Sequence, residues 1–538
     1  VSSCADPQRK TSGDDTSAAG PEALPGAGFF CHISAMDHRK FALRLLIALF
    51  SIALVTFWAE AAWDFLHAIN PQTGKPLELS DLHVTATMAR AVASPFARAY
   101  NNILALLLTF ISLAIPLTAN LYTPKLIEIF IRDRLNIVVL SSYALLAAHS
   151  LFAITLSFDV WTPQVPFWID GIGAVAGWLL LLPYYFYVLS FIDPLTIIKR
   201  VHRSLADELE NVAHNKLPIR LAQQQVNQRI INLGSVLQRS VDRADRDVVF
   251  DAIKAHMLEL ARVRAVKPRL PPEFFKITSG ILVGMSSDAT DLLSRDRIWM
   301  EHRIVSQLIL AFKISLGKMP EGVSALVHAI KNAAHDEARL GNDAVFSLLV
   351  RVFNTFLREA IKKKENAPVY HVVYNYKTLI RRLLGDRPEL VAELVRYLRY
   401  YAEFARGQGL SPVYDLISYE LAELAELAYE RDADPCGMML DAVLEFDGVD
   451  HNAGLVKARV ILAGFLLERG LDIELSRVLG TLRSVPRPTL EAARNGILGT
   501  LQAAFWEIND RGTNIDYVEP QRRAKVREIF ERLLNGAA

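Results

Sequence analysis

Hydrophobic positions are distributed along this chain in two unlike ways. From Phe41 to Ile198 they run together, with only 16 Asp, Glu, Lys or Arg in 158 residues; from Lys199 onward those four types number 92 in 340. In the second part apolar residues recur at spacings of three and four, the period of helices with one buried face. A bilayer core ~30 Å thick takes about 20 apolar residues in a helix rising ~1.5 Å per residue. Four stretches meet that requirement, at about 41–58, 102–122, 136–158 and 168–192. Trp58, Trp63, Trp161, Trp168 and the tyrosines between Tyr184 and Tyr187 crowd their ends, as interfacial aromatic belts do. From Thr196 onward, turn signals interrupt the helical period every 15 to 25 residues. Ser411-Pro412, Asp434-Pro435 and Glu519-Pro520 place proline where a first helical turn tolerates it. One β-like run, Tyr370 to Tyr376, is too isolated to build a sheet.

The expected fold is therefore all-α: a four-span transmembrane helical bundle followed by a large cytoplasmic all-helical domain, either a helical bundle or an irregular α-solenoid. Residues 1–36, rich in Gly, Pro, Ser and Ala without periodicity, read as a disordered lead. Residues 37–195 form the four-span domain, 196–270 a basic juxtamembrane helical pair closed by Pro271-Pro272, and 271–538 the cytoplasmic helical domain. Ala59-Glu60-Ala61 resembles a signal-peptidase site, but the 18-residue apolar run before it exceeds the ~7 to 15 of a cleaved signal, so the first span is expected to be retained.

Composition sharpens this picture. A net charge of +1 gives no global field for nucleic acid, and three cysteines cannot staple a chain of this size. Charge placement says more. Arg39, Lys40, Arg44, Lys125, Arg132, Arg134, Lys199, Arg200 and Arg203 flank one side of the spans, and only Lys75, Arg90 and Arg98 the other. The positive-inside rule then puts both termini in the cytoplasm of a bacterial inner membrane. Lys125, Arg132, Arg134, Lys199, Arg200 and Arg203 are the expected lipid-headgroup or topology residues, with the anionic leaflet as partner. Residues 199–276 hold 15 Lys/Arg against 9 Asp/Glu, and each base near such a leaflet contributes ~1 kcal/mol.

One segment carries a resemblance. The run LTANLYTPKLIEIFIRDRLNIVVLSSYALLAAHSLFAI, Leu117 to Ile154, resembles the core of a bacterial family of predicted membrane proteins, the domain of unknown function twenty-two fifty-four. The matching residues are Tyr122, Thr123, Pro124, Lys125, Arg132 and Asp133, between spans two and three; Asp434-Pro435 echoes the end of a second family segment. The resemblance covers residues 100–200 and implies a membrane location and four N-terminal spans, not an activity.

Candidate chemistry is sparse. An ionisable group in hydrocarbon is a functional candidate because of its cost, and His149 is the one read near mid-span, with no Asp, Glu or Arg relay beside it. Ser141, Ser142 and Ser150 share its helix; Thr109, Ser112, Pro116, Thr118 and Asn120 mark span two. Such groups line an aqueous path or bond across helices. Span four contains GIGAVAG, which imitates a dinucleotide fingerprint but lacks the preceding strand that motif needs. Gly173 and Gly177 are instead a small-xxx-small face for helix packing. Farther on, Glu420, Glu423, Glu426 and Glu430 fall at helical spacings inside a segment, 414–450, with 11 acids and one base; the readings are a solvated face or a stripe for a cation or basic partner. His328, His335, Asp336 and Glu337 have the spacing of a chance cluster rather than a metal site, and Cys436 that of an inert thiol. Tyr370, Tyr374, Tyr376, Tyr400 and Tyr401 read as core or interface.

No phosphate-binding loop, zinc-protease helix, nucleophile elbow or paired C-x-x-C occurs. The expectation is a polytopic inner-membrane protein without catalytic residues, metal or cofactor. It is a non-enzymatic helical scaffold or binding protein that oligomerises or recruits partners through its cytoplasmic helices. The alternative is an oligomeric ion or small-solute channel with a cytoplasmic helical regulatory domain, its pore lined by His149, Ser141, Ser142, Thr109 and Ser112.

Overall fold

The computed structural model describes residues 86–121, 130, 133–155, 164–214, 216–277, 281–282, 284–504 and 512–535. Among them are eighteen α-helices and no strand, the one β feature being an isolated bridge between Ala504 and Thr513. They fall into two units, one holding the described residues up to Ser112 and from 131 to Phe191, the other Leu113–Phe130 and Ile192 onward. The first expected span, 41–58, lies outside the described residues, as do Lys125, Arg132 and the Tyr122 to Lys125 motif.

The first unit rests on three long helices: α1 (Ala86–Leu121), α2 (Arg134–Thr155) and α3 (Gln164–Ile192). Each contains a run long and apolar enough to cross a membrane: Ser94–Leu113, Arg134–Leu151 and Trp168–Phe191. Their surface is inverted relative to a water-soluble bundle. Leu106, Leu145, Ile172, Trp178 and Phe186 are exposed, while Tyr100, Asn136, Tyr143, Ser150, Asp170 and Tyr184 are buried. Lipid solvates that outer face, and the polar groups must find partners inside.

The second unit begins with α4 (Pro194–Ala213), α5 (Ile219–Asp242) and α6 (Arg246–Val266). Asp193 caps α4 by accepting from the Thr196 amide, Pro194 takes the donor-free first position, and Ile197, Val201, Leu205, Leu209 and Val212 form its buried stripe. The pair expected over 196–270 is thus three helices, because Lys216 to Pro218 breaks the periodic run. Twelve more helices follow: α7 (Ser287–Arg295), α8 (Trp299–Ser315), α9 (Pro320–Arg339), α10 (Asp343–Lys363), α11 (Asn366–Asp386), α12 (Val391–Gly407), α13 (Ser411–Glu430), α14 (Cys436–Leu444), α15 (Ala453–Arg469), α16 (Asp472–Leu482), α17 (Arg487–Gly499) and α18 (Pro520–Leu534). The β-like run Tyr370 to Tyr376 is part of α11. Val369, Val372, Val373, Tyr376, Leu379 and Ile380 bury its helical stripe, so tertiary packing overrides the β-branched bias.

These helices stack in two rows. In one, α4, α6, α9, α11, α13, α15 and α18 touch in succession; in the other, α5, α8, α10, α12, α14 and α16 do. Chain neighbours pack across the rows, so the described helices of this unit form two layers. Pro271-Pro272 is no boundary in this stack. It leads into a 3₁₀ turn, Pro272–Phe275, whose Phe274 carbonyl accepts from Gln223 (2.9 Å) and from the Trp299 indole (3.1 Å), tying α5 to α8. The two helices approach so closely at Gly234 that a Cβ there would stand 2.3 Å from the Gln307 amide oxygen.

Candidate functional site

The polar groups of the three spans form a seam with three levels. At one end, His149 on α2 meets Asp170 on α3, Nδ1 to Oδ1, at 2.7 Å, and the Tyr100 hydroxyl on α1 donates to the Asp170 backbone carbonyl at 2.7 Å. In the middle, the Tyr143 hydroxyl donates to the Gly177 carbonyl. At the other end, the Tyr184 hydroxyl donates to the Asn136 side chain. Small residues make the seam possible. A Cβ on Gly173 would lie 2.5 Å from a Leu146 methyl and 3.1 Å from the Tyr100 hydroxyl, and one on Gly177 3.3 Å from the Tyr143 ring. Any side chain there would force the helices apart and break the hydroxyl contacts.

Asp170 is the chemically distinctive member. Its carboxylate is fully buried, Oδ2 has no hydrogen-bond partner among the described residues, and the Ser150 hydroxyl one position from His149 is likewise buried without one among them. His149 remains 35% exposed, so the imidazole is the accessible edge of an otherwise closed site. His149 stands six residues before Thr155, the last described residue of α2, and Asp170 six after Gln164, the first of α3, about 9 Å along each helix at 1.5 Å per residue. The pair lies at the end of these helices away from Arg134.

The remaining pore candidates do not converge on this site. Thr109 is exposed and donates to its own helix at Ala105 (2.8 Å), and Ser142 does the same to Val138 (2.7 Å). Ser141 and Ser112 are exposed, and the side chains of Pro116, Thr118 and Asn120 lie outside the described residues. Arg134 is exposed at the first position of α2, and Lys199 and Arg203 are exposed on α4 beside a half-buried Arg200. The absence of an intramembrane acid near His149 was the wrong expectation. Asp170 sits in sequence among Trp168, Ile169, Gly171 and Ile172, and its partner is a histidine 21 positions earlier on another helix.

The second unit buries a denser ionic lattice. All four glutamates of α13 pair with bases, Glu420 and Glu426 shielded from solvent and Glu423 and Glu430 at its edge. Lys377 of α11 bridges Glu420 (2.5 Å) and Glu423 (2.6 Å), Arg522 of α18 joins Glu426 (2.7 Å) to Glu468 of α15 (3.0 Å), and Arg469 of α15 reaches Glu430 (3.2 Å). Burial pushes the Glu426 carboxyl up to about 7, with Glu423 and Glu430 adding to the rise against the pull of Arg522. Around α6, His202 of α4 holds Glu259, Lys267 holds Glu301 (2.7 Å) and Arg264 holds Glu337. Desolvation raises Glu301 despite Lys267, and it lowers the fully buried His256 to about 4. Such pairs fix which helices meet more than they add net stability.

No group of three or more His, Cys, Asp or Glu that suits a metal occurs among the described residues. His335 pairs with Asp386 (2.9 Å), His328 with Lys331 (3.2 Å), and Glu337 turns to Arg264 and Asn342. Cys436 is half-buried at the start of α14. Tyr376 and Tyr401 are core residues, whereas Tyr370 and Tyr400 are exposed.

Residues 38–254 match a family described as a predicted membrane protein, domain of unknown function 2254 (DUF2254). The match begins ahead of the first apolar run and continues into α6, so the resemblance read between Leu117 and Ile154 extends well to both sides. No curated protein and no solved structure matches the chain.

Proposed function

We propose that this membrane protein is a non-enzymatic scaffold of the bacterial inner membrane, in which the spans anchor a cytoplasmic α-solenoid that recruits protein partners or further copies of the chain. The observation that carries this reading is how the spans use their polar groups: Tyr100, Tyr143, Tyr184 and Asn136 bond across helices, while Thr109 and Ser142 bond within theirs. Side chains committed in this way stitch an anchor and leave little for a water-filled path. The nine bases against three on the two sides of the spans favour a cytoplasmic solenoid. Open two-row stacks present long, ridged faces suited to protein partners.

Reconstitution tests the reading. Vesicles holding the purified chain are expected to remain silent to potassium and proton gradients, while native mass spectrometry from the same preparation records a homo-oligomer or a co-purified protein. Flux that disappears in His149→Ala refutes the scaffold and establishes the second reading, an oligomeric ion or small-solute channel with a regulatory solenoid. That alternative is favoured by one feature, the buried Asp170 carboxylate behind a half-exposed imidazole.

A further inference from the structure

A groove of about 560 Å³ opens in the second unit between α7, α8 and α10, within the ~300 to 1,000 Å³ of small-molecule sites. Its wall is built from two helical stripes, His302, Val305, Ser306 and Ile309 on α8 and Ala344, Ser347, Leu348, Arg351, Val352 and Thr355 on α10, with α7 closing it through Leu292 and Leu293. The two stripes run in the same direction. Phe312 stacks on Phe356 at 4.0 Å and Lys313 pairs with Glu359 at 3.7 Å, which sets His302 level with the first turn of α10 and about 7 Å along the axis from Arg351 at 1.5 Å per residue.

Two arginines, Arg295 and Arg351, and two aspartates, Asp296 and Asp343, line this groove, and they differ in what holds them. Asp343 is engaged by Arg387 (3.1 Å) and Asp296 by Arg295 (3.0 Å). Arg351 lines the same groove, is exposed, and makes no ion pair among the described residues. Beside it, the Thr355 hydroxyl is spent on the Arg351 carbonyl (2.8 Å) and that of Ser306 on the His302 carbonyl (2.7 Å). Burial, reinforced by Arg303, holds the His302 imidazole below its ordinary range. One exposed guanidinium with no ion pair among the described residues, beside an apolar wall, complements one negative charge joined to an apolar body. A dianionic phosphate would leave a charge unmatched beside Asp296 and Asp343, whereas a carboxylate fits the planar guanidinium fork with two parallel hydrogen bonds.

We propose that this groove binds a single-chain amphipathic carboxylate, with its head on Arg351 and Ser347 and its chain along the apolar stripes of α7, α8 and α10. The test uses the full chain in phosphatidylcholine nanodiscs, titrated with carboxyl-labelled decanoate and read by line broadening of the carboxyl carbon resonance. Arg351→Gln in the same nanodiscs carries the same bilayer background, and decanol tests the need for charge. Expected are saturable decanoate binding to the unmodified chain, affinity at least about tenfold lower in Arg351→Gln, as loss of a charge-assisted hydrogen bond implies, and weaker binding of decanol. Decanoate should also slow hydrogen exchange across residues 287–309 in the unmodified chain and not in the variant. Equal titrations of the two proteins, equal affinity for decanol, or non-saturating uptake alone would overturn the proposal.

Discussion

Replacing Glu426 by glutamine should remove a pH dependence that the ionic lattice builds into the second unit. Burial raises this carboxyl from 4.5 to about 7 in the folded chain, even with Arg522 at 2.7 Å. The folded state therefore holds more protons than the unfolded one between those values, so the stabilisation is fully present below about pH 4.5 and is lost as pH rises through about 7. Integrated from pH 5 to pH 8, the loss is roughly 2 to 3 kcal/mol at 1.36 kcal/mol per pKa unit. Glu426→Gln keeps the side-chain shape and has no proton to lose. The variant should be slightly the more stable at pH 5, and its advantage should grow by about that amount between pH 5 and pH 8. Thermal unfolding in detergent, followed by far-ultraviolet circular dichroism at both pH values, measures the double difference, in which every other titrating group cancels. Parallel pH profiles for the two proteins would refute the assignment of a raised carboxyl to this position.

Three further perturbations test the packing. Gly173→Ile places a branched side chain where a Cβ alone would stand 2.5 Å from Leu146, whereas Gly171 has nothing within 4 Å of its Cβ position; thermal midpoints in detergent should fall for the first, by the ~1 to 3 kcal/mol of overpacking, and stay level for Gly171→Ala. Arg459, buried on α15, donates to the carbonyls of Val443, Leu444 and Phe446 at the end of α14; Arg459→Met should cost roughly 2 to 4 kcal/mol in denaturant unfolding by stranding buried acceptors. Tyr184→Phe and Asn136→Ala should each cost about 0.5 to 1.5 kcal/mol, and their double variant less than the sum, since both remove one interhelical bond; strict additivity would dismiss the bond.

What was legible in the sequence follows the range over which each signal acts. Apolar run length and the 3.6 period are local, and they suffice for the described spans, the all-helical fold and first-turn prolines such as Pro412 and Pro520. Tertiary pairing is not local. The acidic stripe from Glu420 to Glu430 reads as a solvated face because its bases, Lys377, Arg469 and Arg522, lie up to 96 residues away on three different helices. Tyr370 to Tyr376 reads as β-like because valine and tyrosine bias the segment, but its apolar positions also satisfy a helix, and only the burial of α11 between neighbours decides.

The seam of the spans carries the same lesson into function. Read one helix at a time, His149, Ser142 and Thr109 are a set of polar groups in hydrocarbon, and a shared aqueous path is one way to account for them. Read across helices they separate by chemistry. Serine and threonine hydroxyls are short enough to reach the carbonyl four residues back, which satisfies them without any neighbour. Tyrosine hydroxyls and the His149 imidazole extend beyond their own backbone, so burial forces them onto another helix. That division by reach explains why Tyr100, Tyr143 and Tyr184 mark the three levels of the seam. It also explains why Asp170, whose short side chain stays inside the bundle, is held by a histidine that reaches across from α2.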